Sequence, residues 1–226
     1  MRPFVFINAA MSIDGRITDW RRRQVRISCR DDMKRVDRLR AESDAVLVGI
    51  GTVIADNPSL TVKSKELREK RIKEGKSPNP VRVVLDSKAR LPLNSNILSN
   101  DAETLVAVSK IARRDRINLL KDVAKVVVCG EKKVDIPLLL NILFENGIRK
   151  LMVEGGGRVI SSFLKEKVVD RLFIYVGGIA FGEGVNLVEG RLDPPVKFEL
   201  LKAERVGRGF VLEANPVYKT EATDMQ

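Results

Sequence analysis

The sequence predicts an α/β fold in which a mostly parallel central sheet carries helices on both faces and antiparallel strands at its C-terminal end. Three observations carry that prediction. Up to residue 168, short apolar runs alternate with longer amphipathic stretches, the order that consecutive βαβ units require. The runs are continuously apolar instead of alternating with polar residues, as expected of strands buried on both faces. After residue 168 the helical stretches give way to strand-like runs separated by glycines, which read as antiparallel additions at one side of the sheet.

In chain order, FVFINAA (4–10) is the first strand. It superficially resembles a signal peptide, but Asn8 interrupts the apolar stretch and Asp14 soon follows it. The Asp14-Gly15 pair after Ser12 is a hairpin signal. DDMKRVDRLRAES (31–43) reads as a helix on which Arg35, Arg38 and Arg40 do not share one face, so most of them should be solvated. Arg40 falls in the last turn, where a cation complements the helix dipole. AVLVGI (45–50) is a second strand, and the charged KSKELREKRIKEGKSPNP (63–80) a solvated helical excursion ending in a turn. VRVVLD (81–86), TLVAVS (104–109), AKVVVCG (124–130) and KLMVE (150–154) are further strands. ARRDRINLLKD (112–122), IPLLLNILFENG (136–147) and GRVISSFLKEK (157–167) are the helices among and after them. VVDRLFIYVGG, VKFELLKAERVG and GFVLEANPVY supply the late strands. One domain is expected over 1–218, with KTEATDMQ (219–226) as a mobile tail because it has no apolar pattern.

Composition narrows the chemistry. The chain has 226 residues and no histidine, which excludes Ser-His and Cys-His nucleophilic pairs, His-based zinc sites and imidazole acid-base catalysis. Carboxylates, amines, hydroxyls or a cofactor must do the work. The two cysteines, Cys29 and Cys129, lack metal-type spacing and fit a reduced, cytoplasmic setting. No apolar run is long enough for a membrane span. A net charge of +11 favours anionic partners, among them phosphorylated metabolites, dinucleotides and nucleic acid. Aromatics at 5% and dispersed basic residues do not resemble a single-strand-binding groove.

Two stretches carry motif-level signals. In LMVEGGGRVISSF (151–163) a strand delivers Glu154, Gly155, Gly156 and Gly157 turn the chain, and a helix begins near Arg158. Bare backbone amides at a helix start form an anion site, so the turn is a candidate phosphate cradle; a tight turn needing positive φ is the alternative. In DAVLVGIGTVIADNPSLTVK (44–63) a strand ends at Gly49-Ile50-Gly51-Thr52, the kind of strand end where ligands bind in open α/β sheets. Thr52 offers a hydroxyl and a helix N-cap, and Asp56-Asn57-Pro58 forms a stiff polar turn before Leu60.

Taken together and in this order, NAAMSIDGRIT, RLRAESDAVLVGIGTVIADNPSLTV, VRVVLDSKARLP and LMVEGGGRVISSFL resemble the pyrimidine reductases of riboflavin biosynthesis. These include the stand-alone archaeal and fungal enzymes and the reductase half of bifunctional deaminase-reductases. The resemblance runs from about residue 4 to residue 214. It implies a dihydrofolate-reductase-like fold and NADPH-dependent reduction of 2,5-diamino-6-ribosylamino-4(3H)-pyrimidinone 5′-phosphate, the ribosyl group becoming ribityl. The deaminase half, with its H-x-E and P-C-x-x-C zinc signature, has no counterpart in this sequence.

Residue by residue, the family pattern implies Ala10, Thr52 and Asp56 beside the cofactor, with Val83, Val84, Leu85, Asp86 and Ser87 along its groove. Gly130 and Gly155 to Gly157 complete that site. On the substrate side it implies Arg40 and Lys63 towards the 5′-phosphate, Leu60 as an apolar wall and Glu154 at the pyrimidine or sugar. Many relatives carry arginine where Lys63 stands, which would exchange a forked grip for a single ammonium contact. Bacterial relatives often carry tryptophan where this chain has Arg26, which sets Gln24 to Ser28 apart. Glu154 and Asp56 are the candidate catalytic acids. No metal or flavin is implied, and relatives are commonly homodimers. A dihydrofolate reductase, a basic nucleic-acid-binding protein and a non-catalytic dinucleotide sensor, which would bind NADPH but turn over no substrate, are the rival readings. The first needs a first-helix carboxylate facing a pterin, and the second needs binding that falls steeply with salt.

Overall fold

A computed structural model of the chain describes residues 1–21 and 25–218, so Gln24 and the predicted tail at 219–226 lie outside the described residues. β1 (Phe4–Ser12) is followed by β2 (Arg16–Asp19), α1 (Arg30–Glu42), β3 (Ala45–Gly49), α2 (Ile50–Asp56) and α3 (Lys65–Lys73). Next come β4 (Val81–Leu85), β5 (Thr104–Val108), α4 (Arg114–Lys121), β6 (Lys125–Val128) and α5 (Ile136–Glu145). β7 (Lys150–Gly155), α6 (Gly157–Lys165), β8 (Arg171–Gly177), β9 (Gly184–Asn186), β10 (Lys197–Val206) and β11 (Gly209–Val217) complete the order.

The main sheet is 9-stranded, in the order β10-β11-β8-β1-β7-β3-β4-β5-β6. From β8 to β6 all neighbours run parallel, whereas β11 joins β8, and β10 joins β11, antiparallel. The late run VVDRLFIYVGG, expected to be antiparallel, is therefore corrected: β8 lies parallel to β1 because α6 carries the chain back across the sheet. The predicted hairpin is also corrected. The Asp14-Gly15 turn forms, with the Gly15 amide bonded to the Ser12 carbonyl at 3.0 Å, but β2 pairs with β9 in a separate two-stranded sheet.

Continuous apolar runs fill both faces, because successive strand residues point to opposite sides. Val5, Ile7, Leu47, Val83 and Val153 meet Leu139, Leu140 and Leu143 of α5 and Ile160 and Phe163 of α6. Phe6, Val46, Val48, Val84 and Met152 meet Val36 of α1, Val53 of α2 and Leu120 of α4. Helix starts follow local chemistry. Asp135 caps α5 by accepting from the Leu138 amide at 2.8 Å, and Ser64 caps α3 by accepting from Leu67 at 3.3 Å. Parallel pairing aligns the C-terminal ends of β1, β7, β3, β4, β5 and β6 along one edge, and the candidate site is built there.

Candidate active site

At the end of β7 the chain turns through Gly155 (φ 84°) and Gly156 (φ 81°), backbone conformations that L side chains rarely adopt. A Cβ on Gly156 would lie 3.0 Å from Thr52 Oγ1, and the Thr52 hydroxyl is 3.5 Å from the Gly155 carbonyl oxygen. The starts of α2 and α6 therefore converge. Gly157 has a different reason to be bare: its Cβ would lie 2.3 Å from the Asn186 carbonyl oxygen, so a neighbouring stretch of chain, not open space, excludes a side chain there. Both Val159 and Ile160 donate to the Gly156 carbonyl, at 2.9 and 3.1 Å, which winds the first turn of α6 and leaves its leading amides at the helix end. Thr52 is not the N-cap expected from the sequence. Gly49 holds that position and Thr52 lies inside α2.

Farther along the strand ends, Ser87 links two loops: its Oγ accepts from the Val134 amide at 3.1 Å and its carbonyl accepts from Ser109 Oγ at 2.8 Å. Val83, Val84 and Asp86 have no exposed surface, so the exposed part of this segment is Leu85 and Ser87. The Asp86 carboxylate accepts from the Leu91 amide at 2.8 Å, and burial raises its pKa. A Cβ on Gly130 would meet the Lys133 carbonyl at 2.0 Å, so that glycine accommodates its own loop.

On the other side of β7, Arg40 reaches back from the last turn of α1 and grips Glu154 with two hydrogen bonds, Nε to Oε1 and Nη2 to Oε2, both 2.6 Å. Only 15% and 13% of these side chains is exposed. Burial alone would lower the Arg40 pKa, but the Glu154 charge and hydrogen bonds outweigh it and raise it. Arg40 Nη1 also donates to the Thr61 carbonyl at 3.3 Å, while Lys63 Nζ donates to Thr61 Oγ1 at 2.8 Å. Two cations thus meet on one residue. Asp37 of α1 fixes that loop by accepting from the Lys63 and Ser64 amides at 2.7 and 2.8 Å.

Arg35 is also turned inward, contrary to the expectation that most of the α1 arginines are solvated; among the three only Arg38 is exposed. Arg35 Nη2 donates to Asn8 Oδ1 of β1 at 2.8 Å and Arg35 Nε to Asp32 Oδ1 at 2.8 Å. Asp32 is fully buried. Long arginine side chains let positions on different faces of one helix reach the same sheet, which face counting does not capture. Ala10 is half-buried on β1, and Leu60 is 3% exposed at φ 50°, packed into the core beneath the loop that carries Lys63. Asp56 ends α2 half-buried, with its pKa raised by burial, and Asn57 closes the helix in a left-handed conformation. As site residues, the sequence did not point to Asn8, Asp32, Asp37 or Thr61. The signal for Asp37 was an acid one turn before Arg40 on the same helix.

Among the described residues no cluster of His, Cys, Asp or Glu could hold a metal ion, and no helix is long and apolar enough to cross a membrane. The sequence profile of the RibD C-terminal domain matches residues 3–212. The chain is 52% identical over 222 residues to the 2,5-diamino-6-ribosylamino-4(3H)-pyrimidinone 5′-phosphate reductase of Archaeoglobus fulgidus, covering 95% of this chain and 98% of that one. Among solved structures it resembles a diaminohydroxyphosphoribosylaminopyrimidine deaminase/5-amino-6-(5-phosphoribosylamino)uracil reductase from Thermotoga maritima. There the TM-score is 0.76 at 29% identity, over 96% of this chain and 57% of the bifunctional one. Dihydrofolate reductase from Enterococcus faecalis has a TM-score of 0.51 at 12% identity over 94% of this chain and 96% of that one, a likeness of fold.

Proposed function

The chain belongs to the RibD C-terminal domain family, and from that premise we propose that it reduces the ribosylamino group of 2,5-diamino-6-ribosylamino-4(3H)-pyrimidinone 5′-phosphate to the ribitylamino group in riboflavin biosynthesis, using NADPH. The observation that carries the substrate half is the meeting of Arg40 and Lys63 on Thr61 beside Glu154. Two cations held at one point suit a phosphate monoester. For the cofactor half, the side-chain-free Gly155-Gly156 turn and the leading amides of α6, faced by the Thr52 hydroxyl, suit the diphosphate of a dinucleotide.

When bound, the reduced nicotinamide supplies a hydride to the sugar C1′ of the ring-opened imine. The protein must hold that carbon in line, exclude water and deliver one proton to the adjacent nitrogen, which takes the electron pair of the C=N bond. Both Glu154 oxygens are engaged by Arg40, so Glu154 orients the substrate and keeps Arg40 aimed. Asp56 is not tied in this way and burial raises its pKa, which makes it the better proton source. Lys63 and the remaining N–H groups of Arg40 take the phosphate. Ala10 and Ser87 border the cofactor groove.

A dihydrofolate reductase would need a free first-helix carboxylate. Of the two acids in the first turn of α1, Asp32 is fully buried and paired with Arg35 at 2.7 Å, and Asp31 is exposed beside Lys34 at 3.7 Å. Oxidation of NADPH with the ribosylaminopyrimidine phosphate, and none with dihydrofolate, is expected. The reverse pattern would replace this function, and salt-sensitive binding to DNA or RNA without turnover would favour the nucleic-acid reading. The proposal extends to a homodimer in the cytoplasm. Among the described residues the outer edge of β10 has no strand partner; it exposes Phe198, Leu200 and Leu201, and Cys29 and Cys129 are both free thiols. Sedimentation at micromolar concentration tests the dimer.

A further inference from the structure

The stretch 178–189, between β8 and the loop after β9, forms a strap that runs from the turn after β1 to the start of α6. At one end it lies against the glycine turn. The Glu189 amide donates to the Gly157 carbonyl at 3.3 Å, Asn186 occupies the space a Gly157 side chain would need, and Glu189 accepts from Arg158 Nε at 3.1 Å. Because a peptide unit is planar, holding the Gly157 carbonyl also sets the direction of the Arg158 N–H, one of the leading amides of α6. The strap thus aims a donor of the diphosphate site.

The strap has little core of its own: Phe181, Val185, Leu187 and Val188 are only half-buried. Polar ties to the turn after β1 hold it. The Asp14 carboxylate accepts from the Gly182 amide at 2.7 Å, from the Phe181 amide at 3.2 Å and from Ser12 Oγ at 2.5 Å. Around it, Ile13 donates to the Ile179 carbonyl at 2.8 Å, Leu187 to the Gly15 carbonyl at 3.1 Å and Arg16 Nε to the Gly182 carbonyl at 3.2 Å. Asp14 is the charged member of this set of acceptors, and hydrogen bonds to a charged acceptor are the stronger kind.

We propose that Asp14 is a positioning residue for the dinucleotide site: it anchors the strap that aims the α6 amides, and so sets cofactor affinity without touching the cofactor. This rests on the NADPH reading above. It also gives the Asp14-Gly15 pair a task beyond making a turn, since the carboxylate ties together segments 168 residues apart.

The test measures hydrogen exchange and NADPH affinity on the full chain with Asp14→Ala and Asp14→Asn. In Asp14→Ala the amides of Phe181, Gly182, Leu187 and Glu189 should exchange faster while those of β3 and β4 do not. NADPH should bind about tenfold more weakly as the site loses preorganisation. At saturating cofactor and substrate kcat should stay at the wild-type value, and Asp14→Asn, which keeps one acceptor oxygen, should recover part of the affinity. Should Asp14→Ala fail to fold, Arg16→Ala removes a weaker tie to Gly182 and should move both readouts the same way. Strap amides that stay protected, or that are released with unchanged affinity, would overturn the proposal. A wild-type chain that binds no NADPH removes the cofactor reading and this proposal with it, whereas unchanged strap exchange removes this proposal alone.

Discussion

Replacing Glu154 by leucine should destabilise the protein and inactivate it, and pairing that change with Arg40→Met should recover stability alone. In Glu154→Leu the Arg40 guanidinium loses both of its 2.6 Å partners while remaining mostly buried. Stranding one member of a buried ion pair costs about 3–5 kcal/mol, and the residual exposure of 15% and 13% puts this pair near the lower end. For a chain of 226 residues, each kcal/mol moves Tm by about 2–4 °C, so a loss of about 3 kcal/mol lowers it by about 6–12 °C. The double variant replaces the pair by apolar side chains of similar reach, a substitution that is often neutral or stabilising. Calorimetry on the wild type, both single variants and the double variant closes the cycle. Reductase assays on the same samples should show no return of activity in the double variant. A Glu154→Leu protein as stable as the wild type, or a double variant no better than the single one, would refute the claim that this contact is a desolvated ion pair.

Further outcomes are expected at four sites. Lys63→Ala should raise KM for the phosphorylated substrate by about ten- to hundredfold through loss of a charged contact, and Lys63→Arg should restore it; an equal effect on NADPH binding would reassign Lys63. Asp56→Asn should lower kcat by about a hundredfold or more if Asp56 is the proton source, and undiminished kcat removes it from that role. Because burial raises the Asp56 pKa, its contribution to stability is fully present below the ordinary carboxylate range and lost as pH rises through the folded value. The asparagine variant should therefore gain on the wild type in melts at neutral pH and lose that gain in acid. Gly156→Val forces a branched side chain into φ 81° with its Cβ 3.0 Å from Thr52 Oγ1; it should cost about 1–2 kcal/mol of stability and weaken NADPH binding, and unchanged affinity would end the cradle reading. Cys129 is 1% exposed, with burial pushing its thiol up to about 11, so native-state alkylation should label Cys29 first.

The parallel strands were legible because a strand buried on both faces has no room for polar alternation: Val46-Leu47-Val48 must satisfy two cores at once. The direction of β8 was not. The residues of β8 suit either orientation, and its parallel alignment follows from the crossover through α6. Helix α2 was anticipated only through an N-cap at Thr52, with its start misplaced, because IGTVIAD, rich in β-branched residues and holding a glycine, has weak helix propensity and is held by its packing. In the site, the glycine turn and the basic residues could be seen as residue types. That Arg40 spends two of its donors on Glu154, and that Arg35 reaches Asn8, depends on distances between chain segments that no local pattern encodes.

Gly155, Gly156 and Gly157 show why a motif and its cause are separate matters. Adjacent in sequence, they invite one explanation, close approach of a phosphate. The structure divides them. Gly155 and Gly156 have positive φ, Gly156 also faces Thr52, and Gly157 is bare because Asn186 lies against it. Gly155 is buried, with Ile160 3.4 Å from where its Cβ would lie, so only Gly156 faces α2; a ligand accounts for at most part of the run, and packing against Ile160 and the strap accounts for the rest. The strap in turn depends on Asp14, from the other motif whose role the turn alone did not explain. A substitution at Gly157 should therefore act like one at Asp14, by moving the strap, and unlike one at Gly156, whose Cβ would face Thr52.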